Sequence, residues 1–492
     1  MGECAGLALT IFCESPVWVD RSASDARVGE TGALMSLVVL AVSALVVGAC
    51  EWPPQDIGDQ VPPAVWFIDA LPASTAYKLA GHLIAKANGS ELHLDGSIGH
   101  GWQGPPRGPS GMIGTLEPEM AGLASLSALP PEISGLEFLR TLTLTDTQIS
   151  DLGPIAGNLG LEVLDLSRSK VVDLTPLAGL TELQKLDLTE TGVADLTPLA
   201  KLTALTDLDL SGTKVTDLSP LAGLTGLERL TLSGEGITDL SPLSPLSRLR
   251  ALQEVTLDGT GVTSLRGLED HPALKRLEIS NQPLPDLAEV TGATALVEIS
   301  LYHTTGGDLR GMAGFPALRE VWASQVDVTS LEGLGGHADL RRILVSGGRF
   351  SSTAPLHDLP RLERLWLNDG ALTDLAGVGA LPVLESLMVS GNRIDDLSGL
   401  SGAKALRWAY LHGNPFHDLS PLAGLPELQQ VTIVGSRVRD LSPLASLPML
   451  NDLGLDCQSP DAVTPHDTWD FTPLQGKAIH VGRWNSLPVE LF

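Results

Sequence analysis

The sequence predicts an α/β solenoid, in which short repeats coil with a parallel sheet on the concave face and short helical or 3-10 turns on the convex face. Three observations predict it. A 22-residue pattern recurs, each repeat contains a short alternating run of apolar residues, and each carries Asp or Ser at one fixed place. Because so short a unit cannot enclose its own apolar face, successive repeats must stack to bury it.

The repeat is visible when residues 174–195, LTPLAGLTELQKLDLTETGVAD, are compared with the next 22 residues, LTPLAKLTALTDLDLSGTKVTD. Rephased, the unit is LxxLxLxxTxVxDLxPLAGLxx, and fourteen units, one of them 25 residues long, lie within residues 139–455. The alternating LxL run predicts a short strand whose leucines point inward. Its third, fifth and seventh positions then point outward from the sheet.

Two further positions of the unit have a predicted structural role. The ninth is often Thr or Ser, with Asn at residues 392 and 414, and its side chain can bond the backbone of the turn. The thirteenth is Asp or Ser, residue types that cap helical turns by accepting backbone N–H bonds; a calcium ladder is the alternative. The thirteenth-position aspartates are Asp151, Asp173, Asp195, Asp217, Asp239, Asp286, Asp308, Asp374, Asp396, Asp418 and Asp440, and the serines are Ser264, Ser330 and Ser352.

This pattern resembles the leucine-rich-repeat family, and most closely the 22-residue class of bacterial internalins and eukaryotic phosphatase-regulating repeat proteins. The resemblance covers residues 139–455 and implies a leucine-rich-repeat horseshoe. The ninth position departs from the class, since internalin-like repeats favour Asn there, whereas this chain mostly has a hydroxyl residue.

The N-terminus contains an apolar run from Leu34 to Ala49, which is too short for a membrane span but suits a secretory signal. Its end, Val47-Gly48-Ala49-Cys50, resembles the bacterial lipoprotein box, although the basic flank is weak. The resemblance implies that residues 1–49 are removed, that Cys50 is lipidated and that residues 50–63 form a tether at the bacterial cell envelope. A plain cleaved signal, giving a secreted protein, and a short buried helix are the alternatives.

Both ends of the array need a cap, because an exposed leucine core is unstable in water. Residues 64–138 are interpreted as an N-terminal cap with irregular first repeats, including a helix over 74–87 and a strand over 91–94. Residues 456–492 are interpreted as a C-terminal cap.

Composition and motifs exclude several function classes. The formal net charge is −28, which disfavours nucleic acid because phosphates would be repelled. No catalytic motif is present, and the four cysteines form no CxxC pair and no metal-ligand spacing. We therefore expect no enzyme activity, no cofactor and no metal site, and membrane contact only through the lipid anchor.

The outward fifth position changes character along the array and predicts a protein-binding surface. In the later repeats it is large and apolar, and contiguous exposed apolar patches usually mark interaction sites. The alternatives are that the chain end covers the patch, or that a carbohydrate or other small ligand stacks on the rings. The candidate partner-binding residues here are Tyr302, Trp322, Leu344, Trp366, Met388, Trp408, Tyr410 and His412.

In the earlier repeats the same position is acidic, with Asp165, Asp187 and Asp209 in successive units. Stacked like charges repel, so something positive is expected nearby. Partial neutralisation within the chain is one interpretation, and a basic segment of the partner or a divalent cation are the others. The neutralising candidates are Lys185, Arg229 and Arg276.

Together these features predict a cell-envelope protein–protein interaction module that binds a protein partner, with or without a basic segment, on its concave face. One alternative is a carbohydrate-binding or adhesion module that uses the same aromatic residues. The other is a structural envelope lipoprotein whose concave face is covered.

Overall fold

A computed structural model describes residues 91–93, 126–129, 131–135, 139–244, 249–456 and 470–483. The predicted signal segment, the lipidation site Cys50, the tether and the helix over 74–87 lie outside these residues. The chain divides into two compact units, Met1–Val215 and Thr216–Phe492, which are described in turn.

The described part of the first unit contains strands that pair in parallel, each with the next along the chain. Short 3-10 helices connect the repeats at Pro131–Gly135, Gly153–Ile155, Thr175–Gly179 and Thr197–Leu199. The strands are β1 (Glu91–His93), β2 (Thr141–Thr143), β3 (Val163–Asp165), β4 (Lys185–Asp187) and β5 (Asp207–Leu210).

The second unit repeats this arrangement with strands of three to five residues, and neighbouring strands are again parallel and consecutive in the chain. Its strands are β6 (Arg229–Ser233), β7 (Glu254–Asp258), β8 (Arg276–Ser280), β9 (Glu298–Tyr302), β10 (Glu320–Ser324), β11 (Arg342–Ser346), β12 (Arg364–Asn368), β13 (Ser386–Met388), β14 (Trp408–Tyr410), β15 (Gln430–Thr432), β16 (Asp452–Asp456) and β17 (His480–Arg483). Its 3-10 helices are Ser219–Gly223, Ser241–Leu243, Leu287–Glu289, Arg310–Gly314, Val378–Ala380, Ser398–Leu400, Ser420–Leu422, Ser442–Ser446 and Thr472–Leu474.

The leucines of the LxL run form the core, as predicted. In β12, Leu365 and Leu367 are fully buried on one side of the sheet, while Arg364 and Asn368 are partly exposed on the other. Each buried leucine stabilises the fold by roughly 1.5–3 kcal/mol relative to an exposed one. The predicted parallel sheet and short 3-10 turns of a leucine-rich-repeat solenoid are thus confirmed within each unit.

The thirteenth-position side chains cap the turns that follow the strands. Asp173 accepts a hydrogen bond of 2.8 Å from the backbone N–H of Thr175. The same bond, to the residue two places on, is made at all eleven aspartates. The three serines accept it through their hydroxyl oxygen. The capping interpretation is therefore confirmed at the eleven aspartates, each of which is followed by a 3-10 helix, whereas the three serines make the same bond ahead of turns with no 3-10 helix.

The ninth position shows that a hydroxyl does only part of what asparagine does. The Thr191 hydroxyl donates to the Leu188 carbonyl of its own turn. The Asn392 amide donates to Val389 and Ser390 in its own turn and also to Leu367 in the preceding repeat. Its oxygen accepts from the Leu372 N–H, also in the preceding repeat. Asn392 therefore bonds neighbouring repeats together, whereas the Thr191 hydroxyl closes one turn; Thr260 differs, since its hydroxyl donates to Gln282 of the next repeat.

This difference gives a stability prediction. Asn392→Ala leaves several buried backbone groups unpaired, and we expect it to lower the free energy of unfolding by about 3 kcal/mol. Thr191→Val removes one bond, and we expect a loss of about 1 kcal/mol. Urea unfolding followed by circular dichroism measures both, and equal losses would contradict the inter-repeat role of Asn392.

The sheet extends past the fourteen sequence repeats at both ends of the array. The strand that the sequence predicted over 91–94 is present as β1 and pairs with β2, and β17 pairs with β16 in the segment interpreted as the C-terminal cap. The domain boundaries themselves remain predictions. Within the described ranges, no helix is long and apolar enough to cross a membrane.

Candidate functional site

The outward face of the sheet in the second unit carries the predicted apolar residues. Strand register places Trp322 opposite Leu344, Leu344 opposite Trp366, Trp366 opposite Met388 and Met388 opposite Tyr410. We call these five residues the apolar strip. Adjacent strands lie about 4.8 Å apart, so the side chains form a continuous column on the face opposite the leucine core.

The expectation that the whole strip is exposed is wrong. Trp366, Met388 and Tyr410 are only 6%, 5% and 2% exposed. They pack against one another, with Leu344 and Trp408 beside them, because large side chains on neighbouring strands cover each other's surfaces. Trp322, Leu344 and Trp408 remain half-buried and accessible.

Polar ends of the rings are bonded to neighbouring side chains on the sheet. The Trp366 indole N–H donates to the Ser386 hydroxyl at 3.3 Å, and the Tyr410 hydroxyl donates to Gln430 at 3.2 Å. Burial, with a smaller contribution from Asp452, raises the pKa of Tyr410, whose hydroxyl is a proton donor at neutral pH. The two rings are therefore held in place, each by a residue on the next strand.

The flanking candidates lie on the same face. Tyr302, at the end of β9, is half-buried. His412 follows β14, and its Nδ1 lies 3.0 Å from the Ser390 hydroxyl. Burial lowers the pKa of His412 despite the opposing effect of Asp369, so the imidazole is neutral at pH 7. His412 itself therefore adds no positive charge to this end of the face.

In the first unit, Asp165, Asp187 and Asp209 align on β3, β4 and β5 as predicted; we call them the acidic column. Each accepts a backbone hydrogen bond of 2.8–2.9 Å from the residue two places on, Ser167, Thr189 and Ser211 respectively. The Ser167 and Ser211 hydroxyls donate to the same carboxylates. Each aspartate therefore has a structural role at the end of its own strand, a role that the Asp-Leu-Ser/Thr sequence could have revealed.

The neutralising residues expected from the sequence are engaged elsewhere or unpaired. Arg276 bridges Glu254 at 3.0 Å and Glu298 at 3.1 Å, and Arg229 lies 3.8 Å from Glu228. Lys185 makes no ion pair within the described part of the chain. Accordingly the pKa of Asp187 is raised, first by burial and also by Asp165 and Asp209, against the lowering effect of its bonds to Thr189.

The sequence reasoning missed a depression of about 290 Å³ on the second unit's sheet face. Arg276, which bridges Glu254 and Glu298, is among the residues that line it. Glu278 also lines it, and burial together with nearby Asp258 and Glu298 raises the pKa of Glu278. The alternation of Glu254, Arg276 and Glu298 at the third position was its sequence signal. Across the described ranges, no group of three or more His, Cys, Asp or Glu side chains is arranged to hold a metal ion.

Residues 121–399 match the family described as leucine-rich repeat region. The match spans more than half of the chain, which therefore belongs to the leucine-rich-repeat family. Comparison with curated proteins gave no match.

Solved structures share the fold. An internalin, InlF, from Listeria monocytogenes is 23% identical with a TM-score of 0.50, over 69% of this chain and 93% of that chain. A leucine-rich-repeat protein of Leptospira interrogans is 18% identical with a TM-score of 0.52, over 70% of this chain and 87% of that chain.

A third similar structure comes from a plant. The ectodomain of the receptor kinase GASSHO1/SCHENGEN3 from Arabidopsis thaliana, in complex with CASPARIAN STRIP INTEGRITY FACTOR 2, is 16% identical with a TM-score of 0.50, over 67% of this chain and 44% of that chain. The predicted similarity to internalin-like repeat proteins is confirmed, and the lipoprotein signal stays a prediction.

The two kinds of aspartate give a pH prediction. The pKa of Asp187 is raised in the folded state, so ionisation of this carboxyl group destabilises the fold. The wild-type protein therefore loses stability as the pH rises above the ordinary pKa of an aspartate. Asp187→Asn should therefore gain stability relative to wild type between pH 3 and pH 7. The pKa of Asp173 is lowered by its bonds to Thr175, so Asp173→Asn should lose relative stability over the same range. Urea unfolding at pH 3 and pH 7 gives the free energy of unfolding of each variant relative to wild type. A change of the same sign with pH in both variants would contradict the prediction.

Proposed function

We propose that this chain is a protein-interaction module that binds its partner on the sheet face of the second unit, at the apolar strip. One observation carries the proposal. Five large apolar side chains stand in register at an outward position where the earlier repeats have Thr, Asp, Glu or Ser. A leucine core does not require them there, because the core lies on the opposite side of the sheet.

The apolar strip combines rigid, buried side chains with accessible aromatic ones, as the centres of protein-binding surfaces do. Trp366, Met388 and Tyr410 form a buried, packed cluster. Trp322 and Trp408 lie beside this cluster and are half-exposed. Side chains already held in place lose little conformational entropy when a partner arrives. Trp and Tyr also contribute most strongly at the centres of protein interfaces. A protein partner fits this surface better than a glycan, because Leu344 and Met388 offer no ring for a sugar to stack on.

Trp322→Ala combined with Trp408→Ala tests the binding site. Both residues are half-exposed, so the variant should fold, and we expect it to lose at least about tenfold in partner affinity, as truncation of aromatic anchors does. Pull-downs with the full chain, quantified by mass spectrometry, identify partners, whose affinity is then measured by biolayer interferometry.

The matched control is Val172→Ser, because Val172 is 58% exposed and lies outside the strip. The control should bind as wild type does. Recovery of the same partners with the same affinity by all three proteins would overturn the proposed site. Retention of glycans on an array by wild type alone would instead favour the carbohydrate-binding or adhesion alternative.

A covered face is the remaining alternative, and the burial of Trp366 is compatible with it. Quenching of tryptophan fluorescence by acrylamide distinguishes the two interpretations. If the strip is open, Trp322→Ala combined with Trp408→Ala removes an accessible fraction of the fluorescence, whereas covered rings resist quenching before and after substitution.

We further propose that the module is held at a bacterial cell envelope by acylation of Cys50. The support is the apolar run that ends in Gly48-Ala49-Cys50. Expression in a bacterium that processes lipoproteins should give a membrane-bound protein whose N-terminal peptide begins at an acylated Cys50. Cys50→Ser should release it to the soluble fraction, and an unmodified Cys50 by mass spectrometry would contradict the anchor.

A basic segment of the partner could also contact the acidic column, as the sequence suggested. The support is weaker here, because each of those aspartates already accepts hydrogen bonds at the end of its own strand. The proposed anchor site is the apolar strip.

A further inference from the structure

The chain is rich in arginine where the strands that carry the apolar strip begin. The second and third positions of the five repeats that carry the strip contain five arginines and three glutamates, although the chain has a net charge of −28. Two of the arginines are paired, Arg341 with Glu363 at 2.7 Å and Arg342 with Glu320 at 3.2 Å. The remaining arginines are Arg319, Arg364 and Arg407.

Arg364 is the arginine placed to meet a ligand. It is half-buried on β12, two residues before Trp366 and therefore on the same face of the sheet. Its neighbours in the adjacent strands are Arg342, which is bonded to Glu320, and Ser386, whose hydroxyl accepts from Trp366. Within the described residues its guanidinium makes no hydrogen bond or ion pair.

A partly desolvated cation beside a second cation is unfavourable unless an anion compensates it. We infer that Arg364 binds a carboxylate of the protein partner, whose adjacent apolar side chain packs on the strip. The occupant is an extended segment in which Asp or Glu lies next to an apolar residue. This inference rests on the proposed function and specifies the chemistry of the partner at that site.

Charge complementarity favours this occupant over a basic one. A carboxylate accepts two parallel bonds from a guanidinium, whereas a lysine would face Arg342 and Arg364 together. The strongly negative chain repels an acidic partner at long range, and salt screens that repulsion. Added salt should therefore speed association of the acidic segment while weakening its contact with Arg364 once bound.

A displayed library of random peptides, selected on the full chain, tests the inference. We expect enriched peptides to carry Asp or Glu next to an aromatic or aliphatic residue. For an enriched peptide measured by fluorescence anisotropy, Arg364→Gln should weaken binding by about tenfold and Arg364→Glu by more, since a hydrogen bond to a charged group is lost. Replacing the peptide's acid by its amide should weaken binding to wild type but change little in Arg364→Gln.

The matched control is Arg393→Gln, which removes an exposed arginine of the neighbouring repeat outside the strands and should bind as wild type does. Enriched peptides that lack an acid but lose binding in the Trp322→Ala, Trp408→Ala variant would overturn the inference and leave the proposed function standing. Peptides that bind this variant as well as wild type, or no enriched peptide at all, would count against both. Full binding by Arg364→Glu would overturn the inference alone.

Discussion

Stacking of leucine side chains from successive repeats is the interaction on which each unit depends. The strands are three to five residues long, too short to form a stable structure alone, and each gains stability only when the next repeat covers its leucines. Parallel pairing then fixes the register of every outward side chain. Burial of Leu365 and Leu367 in the core thus determines indirectly the position of Trp366. On the outward face, Trp366 lies in register with Leu344 and Met388.

Since the core and the turns are specified by inward and capping positions, the outward positions are free to vary. The first unit uses that freedom for carboxylates that bond their own strand ends, and the second unit uses it for large apolar side chains and arginines. A frame that is the same from repeat to repeat, with outward positions that differ, suits a binding protein, because a new surface needs no change in the core. Rigidity also matters, since the rings on the face are bonded in place before any partner arrives.

Much of the fold could be predicted from the sequence because periodicity encodes it directly. The strand of Leu365 and the cap at Asp173 follow from local patterns repeated many times. The burial of Trp366 could not be predicted, because it depends on the size and conformation of the side chains on the neighbouring strands. The repeat pattern indicates which side chains are neighbours but not how they pack against one another. The same holds for Arg276, which was expected to neutralise aspartates and instead bridges Glu254 and Glu298, its neighbours on the adjoining strands.

The ninth position has a consequence for how such an array can grow or shrink. The Thr191 side chain bonds only within its own repeat, so duplication or deletion of that repeat breaks no side-chain bond of this position to a neighbour, and the backbone bonds to the repeats on either side can form again with the new neighbours. Asn392 and Asn414 instead reach back to Leu367 and Val389, which ties each of these coils to its predecessor. The three repeats that carry Trp366, Met388 and Tyr410 are thereby joined by side-chain bonds, so gain or loss of a repeat should be tolerated less there than at Thr191.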